Sequence, residues 1–140
     1  MTAKPIACVQ LPPSLESVPA ARSCTTAALR AWGLTSTLLD DVALLLTELT
    51  ANAIRHAHGI VGVEIALNGD RLTVRVCDED DSQPRVGEAG ADDESGRGLW
   101  LVDAIADRWG WEAGEPGKVV WFELTTPASA CRISPEPAVA

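Results

Sequence analysis

Glu48 and Asn52 stand four residues apart in the segment ELTANAIRHAHG, residues 48–59. On a helix of 3.6 residues per turn, that spacing returns two side chains to within roughly 40° of each other. Asp41 and Arg55 join them within an arc of roughly 60°. Leu39, Val42, Ala43, Leu46, Leu49, Ala53 and Ile54 fall on the opposite side and predict a core-facing stripe. Leu44, Leu45 and Ala51 border the polar arc, which places it in a partly apolar cleft. A carboxylate beside an amide oxygen can act as a general base next to a ligand for a hard cation such as Mg²⁺. The plainer alternative is the solvated stripe of an amphipathic helix, which is a common arrangement.

Two other places carry polar chemistry. Asp78 leaves an apolar strand, where a carboxylate can accept the exocyclic amine of adenine; it is equally a residue type common at strand-end turns. Gly96-Arg97-Gly98 opens a further helix, where small residues expose backbone N–H groups to a phosphate. His56 and His58 have no third metal-ligand pattern beside them, and His56 suits the C-terminal end of its helix electrostatically.

The elements that must position these residues follow from periodicity and punctuation. Residues 6–11 form a short apolar run stopped by Pro12-Pro13, consistent with a first strand. Ser14 is placed to cap a helix reaching about Trp32 and ended by Gly33, with Pro19 in its first turn. Thr35, Ser36 and Thr37 offer caps for the second helix, which runs to about Ala57 and stops at Gly59. Val61, Val63, Ile65 and Leu67 alternate before Asn68-Gly69-Asp70, and Leu72, Val74 and Val76 alternate after it, a hairpin signature. Residues 78–95 have little apolar patterning and read as a long mobile loop. The third helix carries Leu99, Val102, Ile105 and Ala106 on one face, and residues 109–113 and 119–124 are strands around a turn at 114–117. The expected architecture is α+β: a two-layer sandwich of a mixed, mostly antiparallel sheet with three helices on one face. A single domain spans residues 1–126, and the Pro/Ala/Ser-rich residues 127–140 are expected to be a disordered tail.

Net charge is −9, from 20 acidic and 11 basic residues, which argues against nucleic acid or an anionic membrane as the main partner. An acidic chain can still hold ATP, because Mg²⁺ and backbone amides supply positive field. Cys8, Cys24, Cys77 and Cys131 form no CxxC pair or Cys/His metal spacing, so reduced structural thiols are expected. With no basic-then-apolar leader and no apolar run near ~20 residues, the expected location is the cytoplasm.

Taken in order, these segments resemble a family. ELTANAIRHAHG resembles the N-box of the GHKL superfamily, the Bergerat-type ATPases that include histidine kinases and gyrase. VCDEDD, residues 76–81, is similar to the G1 box, SGRGLWLVDAIADRWGWE, residues 95–112, to the G2 box and following helix, and GKVVWFEL, residues 117–124, to the last strand pair. The likeness is greatest to compact bacterial anti-sigma factors that double as serine-protein kinases, and it extends over nearly all of the chain up to Leu124.

The resemblance implies a Bergerat ATP-binding fold, Mg²⁺–ATP as the bound nucleotide, and phosphorylation of an anti-anti-sigma factor, with a sigma factor as second partner and a homodimer as the assembly. By position, Glu48 matches the general base, Asn52 the Mg²⁺ ligand and Asp78 the adenine-binding carboxylate. Gly96 and Gly98 match the phosphate-loop glycines, Arg97 is in reach of a phosphate, and Leu99 and Ile54 match walls of the adenine pocket. Two departures stand out. No glycine follows Asp78, where the sequence reads Glu79, Asp80, Asp81, Ser82, and Lys118 stands where the family usually has threonine. The first departure favours a competing reading, a partner-binding regulator without kinase activity; a simple ATPase is the third.

Overall fold

The computed structural model describes residues 5–56, 59–79, 94–114 and 117–126. Among the described residues, five strands form one sheet: β1 (Ile6–Leu11), β2 (Val61–Asn68), β3 (Arg71–Asp78), β4 (Arg108–Ala113) and β5 (Lys118–Thr125). Their spatial order is β1-β2-β3-β5-β4, and every pairing is antiparallel, so the sheet is the purely antiparallel case of the expected one. Three described helices accompany it: α1 (Ser17–Ala31), α2 (Ser36–His56) and α3 (Glu94–Ile105).

Burial alternates along β2, β3 and β5, which is what a sheet covered on one face produces. Val61, Ile65, Leu67, Leu72, Val74, Val76 and Phe122 are fully buried on the covered face, against Leu29, Val42, Leu45, Leu46 and Val102 from the helices. The other face carries polar residues, including ion pairs of Glu123 with Arg71 (3.8 Å) and Arg108 (3.6 Å). α2 is the central helix, lying against α1, α3, β2 and β3.

The β2–β3 hairpin turns where the alternation predicts. Asn68 pairs with Arg71, leaving Gly69-Asp70 as a two-residue loop. Gly69 has φ +65°, the left-handed backbone that such a tight hairpin turn needs at its first loop position.

Three boundaries differ from expectation. α1 starts at Ser17, and Ser14 contributes its carbonyl, which accepts the Ser17 N–H at 2.9 Å, while the Ser17 hydroxyl donates to the Pro12 carbonyl at 2.7 Å. The residues after Pro12-Pro13 are used to turn the chain from sheet to helix layer, so the cap falls at Glu16 and the helix begins two residues late. α3 starts at Glu94, two residues before Gly96, so the glycines lie in its first turns. Finally, Leu45 is fully buried while Leu44 is 41% exposed, so of these two leucines bordering the polar arc only Leu45 joins the core. The broad contact of α2 with two helices and the sheet widens its buried face beyond the simple stripe. Thr50 is buried as well; its hydroxyl donates to the Leu46 carbonyl one turn back at 2.7 Å, which satisfies it inside the core. Of the stretch 78–95 expected to be a mobile loop, Asp78 closes β3 and Glu94 and Ser95 open α3, while residues 80–93 lie outside the described residues, as does the tail at 127–140.

Candidate functional site

Glu48 and Asn52 project from α2 half-buried, one turn apart. Asn52 Oδ1 accepts a hydrogen bond from Arg55 Nη1 at 2.7 Å, so three members of the predicted polar arc share one surface of the helix. Ile54 is half-buried and Leu99 buried, both packed with the core. α2 lies directly against β3 and α3, the elements that carry Asp78 and the run from Gly96 to Leu99. The fold therefore gathers onto three contacting elements the segments that sequence spacing singled out separately.

Asp78 is the last residue of β3, facing the helix-covered side, and is 5% exposed. Its carboxylate has a specific partner. Lys118 Nζ lies 3.2 Å from Asp78 Oδ1, and the two side chains retain 10% and 3% exposure. The residues are cross-strand neighbours, Asp78 pairing with Lys118 where β3 ends and β5 begins. Removing one member of such a buried pair strands a charge, a loss of typically about 3–5 kcal/mol.

Gly117 makes this approach possible. Its φ is +87°, and any Cβ there would overlap the Asp78 carbonyl oxygen, so only glycine lets the start of β5 lie so close to the end of β3. In the sequence Lys118 stands out only as a departure from the threonine usual in the family, with no partner in view. A signal was present, since Lys118 is in phase with Val120, Phe122 and Leu124, all of which face the core. A lysine on that face requires a buried counter-charge.

Gly96, Arg97 and Gly98 are helical, within the first turns of α3. The first four N–H groups of an α-helix have no intrahelical acceptor, so backbone donors are present in this segment even though the helix begins earlier than expected. Among the described residues, no cluster of three or more His, Cys, Asp or Glu converges on a point. An amide oxygen is a ligand type that suits a hard cation, and Asn52 Oδ1 also accepts from Arg55. A separate cavity of about 350 Å³ lies between α1 and α2, lined by residues including Arg22, Arg30, Leu39 and Asp40, and contains none of the residues above.

A family model described as histidine kinase-like ATPase domain matches residues 11–124. Among solved structures, the chain is similar to the RsbU and RsbW domains of Rv1364c from Mycobacterium tuberculosis, with a TM-score of 0.68 at 18% identity. The match covers 87% of this chain and 32% of that one, so this chain spans about a third of the length of that structure. At that identity the likeness speaks to the fold. No curated protein sequence matches.

Proposed function

The chain belongs to the histidine kinase-like ATPase domain family, and on that premise we propose that it binds Mg²⁺–ATP and transfers the γ-phosphoryl group to a serine hydroxyl of a partner protein. The partner in this reading is an anti-anti-sigma factor, and the chain is an anti-sigma factor that releases or captures a sigma factor according to the partner's phosphorylation. The observation that carries the proposal is the placement of Glu48 and Asn52 one turn apart and half-buried on a helix packed against both β3 and α3.

In the transfer step, Glu48 accepts the proton as the serine oxygen forms its bond to the γ-phosphorus, and the bond to the β–γ bridging oxygen breaks to release ADP. When bound, the metal neutralises charge on the phosphates, and Asn52 is the residue that would ligate it. Asp78 accepts the purine amine and so orients the nucleotide, Leu99 and Ile54 wall the base, and the first-turn amides of α3 meet the phosphates. Arg97 is a further phosphate contact in this reading.

The second reading, a partner-binding regulator without transfer, is favoured by one observation: Asp78 is already engaged by Lys118. A phosphorylation assay with the partner co-purified from the native host separates the two. Glu48→Gln should keep ATP and partner binding while slowing transfer on the order of 10²- to 10⁴-fold, the usual contribution of a general base. Unchanged transfer in the variant would remove Glu48 from the role. No transfer by the wild-type protein, with binding intact, would establish the non-catalytic regulator.

A further inference from the structure

We propose that Lys118 is a specificity-determining residue: by holding the Asp78 carboxylate in a buried ion pair, it competes with a purine 6-amine for that acceptor and makes nucleotide affinity nearly independent of the amine. The inference rests on the nucleotide-binding reading above and adds to it which part of the nucleotide carries the affinity.

The reason is competition for one acceptor. A carboxylate only accepts hydrogen bonds, while an ammonium and the exocyclic amine of adenine both donate them. Lys118 Nζ lies 3.2 Å from Asp78 Oδ1, and the two side chains keep only 10% and 3% exposure. A bond from a charged donor is roughly twice as strong as one from a neutral donor, so a neutral amine does not displace the ammonium from Oδ1. An amine that reaches the other carboxylate oxygen meets an acceptor whose charge is already compensated. In both cases the amine gains what an uncharged hydrogen bond gives, and not what a bare buried carboxylate would give.

The sheet keeps the ammonium where it is. Asp78 and Lys118 are direct cross-strand partners, so the pleat turns both to the helix-covered side. The next pair on that side is Val76 with Val120, 2% and 6% exposed. An ammonium that left the carboxylate toward these apolar neighbours would strand both charges in the interior. Gly117 has no room for a Cβ against the Asp78 carbonyl, so β5 begins pressed against the end of β3. Stability alone gives no reason for the pair, since a buried ion pair contributes little compared with an apolar pair of the same size.

The test compares ATP with purine riboside triphosphate, which carries hydrogen in place of the 6-amine, by calorimetric titration of the full chain at saturating Mg²⁺ and pH 8. Wild type is expected to prefer ATP by less than about tenfold, the worth of an uncharged hydrogen bond. Lys118→Thr, which removes the ammonium and keeps a short polar side chain, should raise that preference by about tenfold, toward the worth of a charged acceptor. A wild-type preference of about tenfold or more overturns the inference and leaves nucleotide binding intact, even if the threonine variant does not fold. A folded Lys118→Thr protein whose preference equals or falls below that of wild type overturns it as well. Failure of wild type to bind either nucleotide overturns the nucleotide reading and this inference with it.

Discussion

Cys77 and Asp78 are consecutive in β3, and the pleat sends them to opposite faces with opposite consequences. Asp78 goes to the covered side and meets Lys118. Cys77 goes to the open side, half-buried, with Gly62 opposite it on β2. Burial pushes its thiol pKa up, and the nearby Glu64 carboxylate pushes in the same direction. Because the folded pKa is raised, the fold favours the neutral thiol. That contribution is intact below the unfolded thiol pKa and is lost as pH rises through the folded value, in the alkaline range. The thiolate is the reactive form, so at pH 8 iodoacetamide should modify Cys77 several-fold more slowly than the exposed Cys8 and Cys24. Peptide-resolved mass spectrometry checks the order, and labelling of Cys77 ahead of the other two would contradict the burial argument.

At the scale of elements, α2 does two jobs on one sequence. Its apolar residues fasten it to the sheet and to both other helices, and its polar arc offers Glu48, Asn52 and Arg55. Leu44 and Leu45 separate the jobs sharply. Replacing Leu45, fully buried, by alanine should cost about 2–5 kcal/mol, as core leucine truncations do. Replacing Leu44, which is 41% exposed, should cost about 1 kcal/mol or less. Urea unfolding of the two variants measures the difference directly, and equal losses would mean that α2 sits rotated from the position described. Other ties fix the helix layer to the sheet: the Trp109 indole donates to Asp103 Oδ1 at 2.8 Å, joining β4 to α3. Arg22 in α1 donates to the Thr47 hydroxyl of α2 at 3.1 Å.

At the scale of the whole molecule, charge and ligand are coupled. A triphosphate approaching a chain of net charge −9 meets a repulsive field unless a cation accompanies it. ATP with Mg²⁺ should therefore raise the melting temperature by about 5–15 °C at roughly one hundred times the dissociation constant. ATP with EDTA should raise it much less, and Asn52→Ala should erase the difference between the two conditions. Equal shifts for wild type in Mg²⁺ and EDTA would remove Asn52 from metal binding. No described helix is long and apolar enough to cross a membrane.

Features with local causes are legible in the order of residues alone. Alternation at Val61–Leu67 and Leu72–Val76, broken by Asn68-Gly69-Asp70, required a hairpin, because side chains two apart share a face and a tight turn needs a glycine-tolerant backbone. The 3.6-residue repeat placed Glu48, Asn52 and Arg55 on one arc, and the order of the segments was enough to suggest the family. Decisions that depend on which segment meets which were out of reach. Insertion of β5 between β3 and β4 gives the order β1-β2-β3-β5-β4, and nothing in either strand states its neighbour. Leu44 and Leu45 flank the polar arc on opposite sides, and only the packing of α2 against its neighbours shows that one is core and the other surface. Asp78 and Lys118 lie 40 residues apart, each with an ordinary local explanation. Only the tertiary structure decides that they form a pair, because a strand's periodicity fixes which way a side chain points and the register across the sheet fixes what it finds there.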